Sequence, residues 1–168
     1  AIPTQGIHYG LASWLPYQGT GTRHVDPYVF RSNMTAAINS AWDMRDKDLD
    51  YDTLRRLTSE WRQVSNYFLG DFYPLTPFST EESTWMAWQF DRPDLGEGMV
   101  QAFRRRSSHV FGCQFKLKGL ERDANYEVTD LDRGEPRQVT GRDLMQKGLV
   151  ITLQQRPESA LITYKRMK

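Results

Sequence analysis

Leu54, Leu57, Trp61, Val64 and Phe68 step along the chain by three, four, three and four. Arg55, Arg56, Ser59, Glu60, Arg62 and Gln63 fill the other face. That spacing predicts one amphipathic helix over about 52–68, closed by Gly70. Phe30, Met34, Ala37, Ile38 and Ala41 recur at the same period behind Asp26-Pro27. Asp followed by Pro is a good N-cap and first helical position, so a helix is expected over about 27–41. The apolar piece "YGLASWLPY", followed by the glycine-rich "QGTGTRH", reads as a buried strand and an irregular loop. After Pro77 the helical period is gone. Apolar and β-branched runs follow at 84–91, 98–105, 111–118, 125–130, 136–139, 149–154 and 159–165. Turn signals such as "DRPDLGEG", "LERDAN" and "DRGE" separate them, a pattern that predicts an antiparallel β-sandwich. "RDLMQKG" fits one helical turn between strands.

The architecture therefore changes near 70–80, from helical to all-β. Two helices and one strand cannot bury their own apolar faces, and a lone strand leaves backbone groups unpaired. The first part must be covered by the sandwich, by another chain or by further polypeptide. The chain lacks an initiator Met, which fits a processed product or an excised segment.

Composition narrows the function classes. Lys plus Arg is 22 and Asp plus Glu is 21 in 168 residues. The charges are balanced in both halves, which argues against a nucleic-acid surface. "RRR" at 104–106 is the one dense basic run and reads as a solvated strand end or loop. A single cysteine, Cys113, excludes an internal disulfide framework and a cysteine-based zinc site. No apolar run is long enough to span a membrane, and the start lacks the features of a signal peptide. The compartment stays open.

"WDMRDKDLDYD" (42–52) is the conspicuous acidic run. A calcium loop starting at Asp46 would need Gly sixth and Glu twelfth, but Tyr51 and Leu57 stand there. Neighbouring carboxylates in one exposed run do not receive the opposed environments that a catalytic pair needs. Asp50 and Asp52 instead suit the start of the 52–68 helix. His8, His24 and His109 lack metal-ligand spacing, and no phosphate loop or nucleophile elbow occurs. No metal and no cofactor are expected.

Taken together, "GDFYPLTPF" (70–78), "WMAWQFDRPDLGEGMVQAFRR" (85–105) and "FKLKGLERDANYEVTDLDRGE" (115–135) resemble the C-terminal part of glycoside hydrolase family 36, the melibiases or α-galactosidases. The likeness covers about 30–168 well and 1–29 loosely. It implies an α+β chain: residues 1–70 as the last elements of a (β/α)8 barrel, including two helices, and 71–168 as the antiparallel β-sandwich that closes such enzymes. In that family the barrel carries two catalytic aspartates, the nucleophile in a Lys-Trp-Asp motif and the acid/base near a Gly-rich Arg-containing motif. Neither motif is present here. "AWDM" (41–44) mimics the first but falls where the family has its last barrel strand, so no catalytic role passes to Asp43.

The resemblance thus implies the C-terminal segment of a retaining α-galactosidase-like hydrolase, inactive alone. Loops near Trp14, Tyr17, Asp26 and Arg31 would border the sugar pocket, with Asp43 facing it from behind. For Trp14 and Tyr17, sugar stacking and core packing stay open. For Arg31 a structural ion pair is favoured. The implied partners are an α-galactoside or other carbohydrate reached through the parent enzyme, the missing barrel portion, and a further copy of the chain. The alternative is a non-catalytic carbohydrate-binding or structural β-sandwich module. Alternation in a strand opposes it, because Trp85 and Trp88 would face opposite ways.

Overall fold

The computed structural model describes residues 1–15 and 18–168. Its main body is a six-stranded antiparallel sheet in the order β3-β4-β5-β10-β7-β8. The strands are β3 (Asp71–Pro74), β4 (Trp85–Arg92), β5 (Glu97–Arg104), β7 (Asn125–Asp130), β8 (Pro136–Thr140) and β10 (Glu158–Arg166). A second, two-stranded antiparallel sheet joins β6 (Gly112–Phe115) to β9 (Leu149–Thr152). The sandwich is therefore asymmetric, six strands against two, with the short helix α4 (Gly141–Gln146) as part of its thin side.

The central strands are buried on both faces, which is why "WMAWQF" shows no polar alternation. Trp85, Ala87, Val100, Ala102 and Ile162 face Phe115, Leu149 and Ile151 in the sandwich core. Met86, Trp88, Phe90, Met99, Phe103 and Leu161 face the other way, into a second core shared with Phe30, Leu57, Val64 and Phe68. Residues from the N-terminal helices cover that face.

Those helices are α1 (Ile2–Leu11), α2 (Pro27–Ser32) and α3 (Tyr51–Val64), the last followed by a 3-10 turn at Ser65–Leu69. Asp50 caps α3 by accepting from the Thr53 amide at 2.9 Å, and Asp52 lies in the first turn. The end of the acidic run thus serves the helix start. Asp26 caps α2, accepting from the Val29 amide at 2.8 Å.

Three expectations are corrected here. The buried strand anticipated in "YGLASWLPY" is overturned, because α1 runs to Leu11 and a turn follows it. α1 buries Gln5 and His8 and exposes Ile7, so its most buried positions are polar, and Tyr9 is the aromatic it turns to the core. The helix expected over 27–41 stops at Ser32. There Ser32 Oγ donates to the Tyr28 carbonyl and Asn33 Nδ2 to the Val29 carbonyl, both at 2.8 Å, drawing off helix acceptors. The chain then extends as β2 (Ala37–Ser40), parallel to β1 (Gly19–Thr22). Finally, two of the three arginines of "RRR" are not solvated, only Arg106 being exposed. Arg104 and Arg105 are buried, Arg104 donating to the carbonyls of Leu153, Gln154 and Ser108 and Arg105 to those of Ser79 and Glu81. Their charges tie loop backbones to the end of β5.

Candidate functional site

β1, α2 and β2 form a parallel strand–helix–strand unit, with Gly19 paired to Ala37 and Thr22 to Ser40. Loops leaving the carboxyl ends of adjacent parallel strands are the usual location of sites in α/β folds. Here those loops carry His24 and Asp26 after β1, and Trp42 and Asp43 after β2. Asp26 and Asp43 are thus brought to one end of the strand pair.

Neither aspartate is poised as an acid or base. Asp26 is engaged as the α2 cap. Asp43 is exposed and receives Arg45 in a fork: Nε to Oδ1 and an Nη to Oδ2, both at 2.9 Å, plus the Arg45 amide at 3.0 Å. The Arg45 hydrogen bonds hold its carboxyl below the usual range. Such a carboxylate stays ionised and shapes the loop.

Arg31 lies inside. Its guanidinium donates to Glu60 Oε2 at 2.9 and 3.1 Å, to both Asp132 oxygens at 2.7 Å and to the Ser159 carbonyl at 3.0 Å. Every contact is internal, which makes it a structural ion-pair node. Trp14 is exposed in the turn after α1, upstream of β1 and apart from the two aspartates in the chain. Tyr17 lies outside the described residues.

Trp42 was absent from the expected set. Its ring stacks on Phe30, with centroids 6.0 Å apart and planes 9° apart, and among the described residues its buried indole N–H has no acceptor. It forms one wall of an open groove of about 570 Å3 with Met44, Tyr51, Leu54, Arg55 and Arg62. The Tyr51 hydroxyl closes the loop by donating to the Met44 carbonyl at 2.7 Å. Aromatic character next to the acidic run was the signal available. The two tryptophans of "WMAWQF" are closed to solvent, Trp85 in the sandwich core and Trp88 under the helices.

Residues 85–163 match the glycosyl hydrolase family 36 C-terminal domain. Residues 85–163 thus carry the C-terminal domain of that family. No curated protein sequence matches the chain. Among solved structures, the galactosidase domain of α-galactosidase-sucrose kinase AgaSK is similar over 99% of this chain at 19% identity, with a TM-score of 0.74. The family 36 α-galactosidase AgaB from Geobacillus stearothermophilus is similar over 99% of it at 20% identity, with a TM-score of 0.72. The α-galactosidase from Lactobacillus brevis is similar over 83% at 14% identity, with a TM-score of 0.66. At these identities the likeness is one of fold. The chain spans 24%, 24% and 20% of those three proteins.

Proposed function

We propose that this chain is the C-terminal portion of an α-galactosidase-like retaining hydrolase: residues 1–70 complete the catalytic barrel and 71–168 form the sandwich that braces it. The parallel β1–α2–β2 unit packed on a family 36 sandwich carries this reading. A two-stranded parallel sheet has no independent stability and belongs to a larger parallel sheet. The α1 helix supports the same reading. It turns Gln5 and His8 to the sandwich and leaves Ile7 exposed, an arrangement suited to a helix with a second body on its other side.

In this reading both catalytic aspartates are supplied by the part of the barrel that precedes these residues. One forms the covalent glycosyl intermediate and the other shuttles the proton. Asp26, Asp43 and Trp42 border the sugar pocket from the ends of the last strands, with Trp14 and Tyr17 as further rim candidates, and Arg31 holds α2 in place behind them. The substrate class is a terminal α-galactoside, as the names of the structural relatives suggest.

The test is hydrolysis of an aryl α-galactoside by the purified 168-residue chain. No turnover above buffer is expected. Turnover that survives re-purification and is lost in Asp43→Asn would overturn the reading, because it would put the nucleophile in this segment.

A further inference from the structure

His8 is the one fully buried histidine among the described residues, 1% exposed, and neither of its ring nitrogens has a hydrogen-bond partner. Buried polar atoms are nearly always satisfied, so two orphans on one ring call for a reason. The ring sits in an aromatic cage. Trp88 lies 4.8 Å away centroid to centroid, and Phe68 and Phe90 lie at 5.8 Å. We propose that His8 is an acid-sensitive latch: protonation of its ring releases α1 from the sheet while the sandwich stays folded.

The groups around the ring leave protonation no support. β4 contributes Trp88 and Phe90, and the 3-10 turn contributes Phe68; none of them titrates. On α1 itself, the Tyr9 hydroxyl is turned to the Thr76 carbonyl. The cations near this cluster reach it only through neutral amides. Arg105 donates to the Gln5 amide oxygen, while Trp88 donates to Gln101, whose amide meets only the Arg31 backbone carbonyl, the Arg31 guanidinium being turned to Glu60, Asp132 and Ser159. No carboxylate faces the ring to compensate an imidazolium. The negative end of the short α1 dipole favours the cation only weakly against such burial. Burial accordingly depresses the imidazole from its ordinary 6.5 to about 3.

Besides the His8 cage, α1 is held through two residues: Gln5 donates to the Tyr28 hydroxyl and to Ser32 Oγ and accepts from Arg105, and Tyr9 donates to the Thr76 carbonyl and packs on Phe72 and Phe78. The helix has no side-chain cap at its start and no acid in its first turn. The sign follows from the depressed value: the docked state excludes the proton and the released state binds it. Docking is thus intact above about pH 6.5 and weakens as the pH falls from there towards 3. At pH 5 the opening equilibrium rises about thirtyfold over its value at neutral pH.

Amide hydrogen exchange on the full chain tests this, with protection corrected for the intrinsic pH dependence of exchange. Residues 2–11 should lose about thirtyfold in protection between pH 7.5 and pH 5, while β4 and β5 keep theirs. His8→Leu should abolish the loss. Unchanged α1 protection at pH 5 would overturn the latch. So would simultaneous loss in α1 and β4, which is global unfolding. Should His8→Leu fail to fold, proton NMR of the wild-type imidazole decides. A docked-state signal that does not titrate above pH 5, beside a growing titrating signal, supports the latch. A single signal titrating near 6.5 refutes it.

Discussion

Gly98→Ala is expected to be among the most damaging single methyl additions in the sandwich. A Cβ at this position would sit 2.2 Å from the Tyr164 hydroxyl oxygen and 2.4 Å from the Phe90 carbonyl oxygen. Both contacts are far inside van der Waals range. The first cannot be relieved by turning a free side chain. The Tyr164 hydroxyl donates to Asp91 at 2.6 Å and accepts from Gln89 at 2.8 Å. The Gln89 side chain in turn pairs with the backbone of Lys118 in both directions, fastening the 116–121 segment to the sheet. The second contact is with β4 itself, the strand paired with β5 at Asp91↔Gly98. Relief therefore means moving a central ladder or breaking a buried polar network. Either places the change among the exceptional ones, at about 4 kcal/mol or more. For a chain of this size that corresponds to a melting shift of roughly 10 °C or more. Calorimetry on the pair reads it directly, and a shift under about 3 °C would show that β4 and β5 can slide apart cheaply.

Tyr164 illustrates what was legible in the sequence and what was not. Its strand was expected at 159–165 and spans Glu158–Arg166. β4, β5 and β7 likewise fall within a residue or so of the expected runs, because long apolar stretches bounded by turn residues mark sheet interiors clearly. Their partners were not legible. β10 lies between β5 and β7, far from its neighbours in sequence, and only three-dimensional packing orders the strands so. The 52–68 helix was legible for the same reason as the long strands: one strong period and a capping aspartate. The segment 1–41 was the least legible. α1 turns polar side chains inward, and α2 is cut short by side-chain hydrogen bonds that apolar spacing does not report. β2 was hidden inside a helical period made by Phe30, Met34, Ala37 and Ile38, residues that pack well in either geometry.

The candidate site was legible only as a neighbourhood. Asp26 and Asp43 come to one end of the β1–β2 pair through parallel pairing that no local pattern encodes. Trp42 belongs with them but was passed over in favour of the acids beside it. The basic run failed for a physical reason of its own. An arginine at a strand end is ordinarily solvated, yet Arg104 and Arg105 are buried because several loop carbonyls converge there without strand partners. Guanidinium, with five donors, is the side chain that can satisfy them together.

The same property makes Arg31 the second decisive position. Arg31→Met is expected to destabilise the chain by roughly 3–5 kcal/mol, the range for removing one member of a buried ion pair. The substitution preserves the bulk of the side chain, so the loss reports on the charges. It strands Glu60 Oε2, whose side chain is 8% exposed, and leaves the Ser159 carbonyl without its donor. Glu60 keeps one partner in Arg56 at 2.6 Å, half-exposed, which limits the damage. Asp132 is 39% exposed and can turn to water. A double-mutant cycle should therefore show a larger coupling for Arg31 with Glu60 than for Arg31 with Asp132, since solvent screens the second pair. Arg31→Lys should recover little, because an ammonium cannot reproduce two forks and a carbonyl contact at once. The node matters beyond its energy. It joins α2 to α3 through Glu60, and both to the sandwich through Asp132 and Ser159. Urea unfolding of Arg31→Met should consequently lose cooperativity, with the helical segment melting before the sandwich. A single transition within about 1 kcal/mol of the parent would show that the shared apolar core alone joins the two parts.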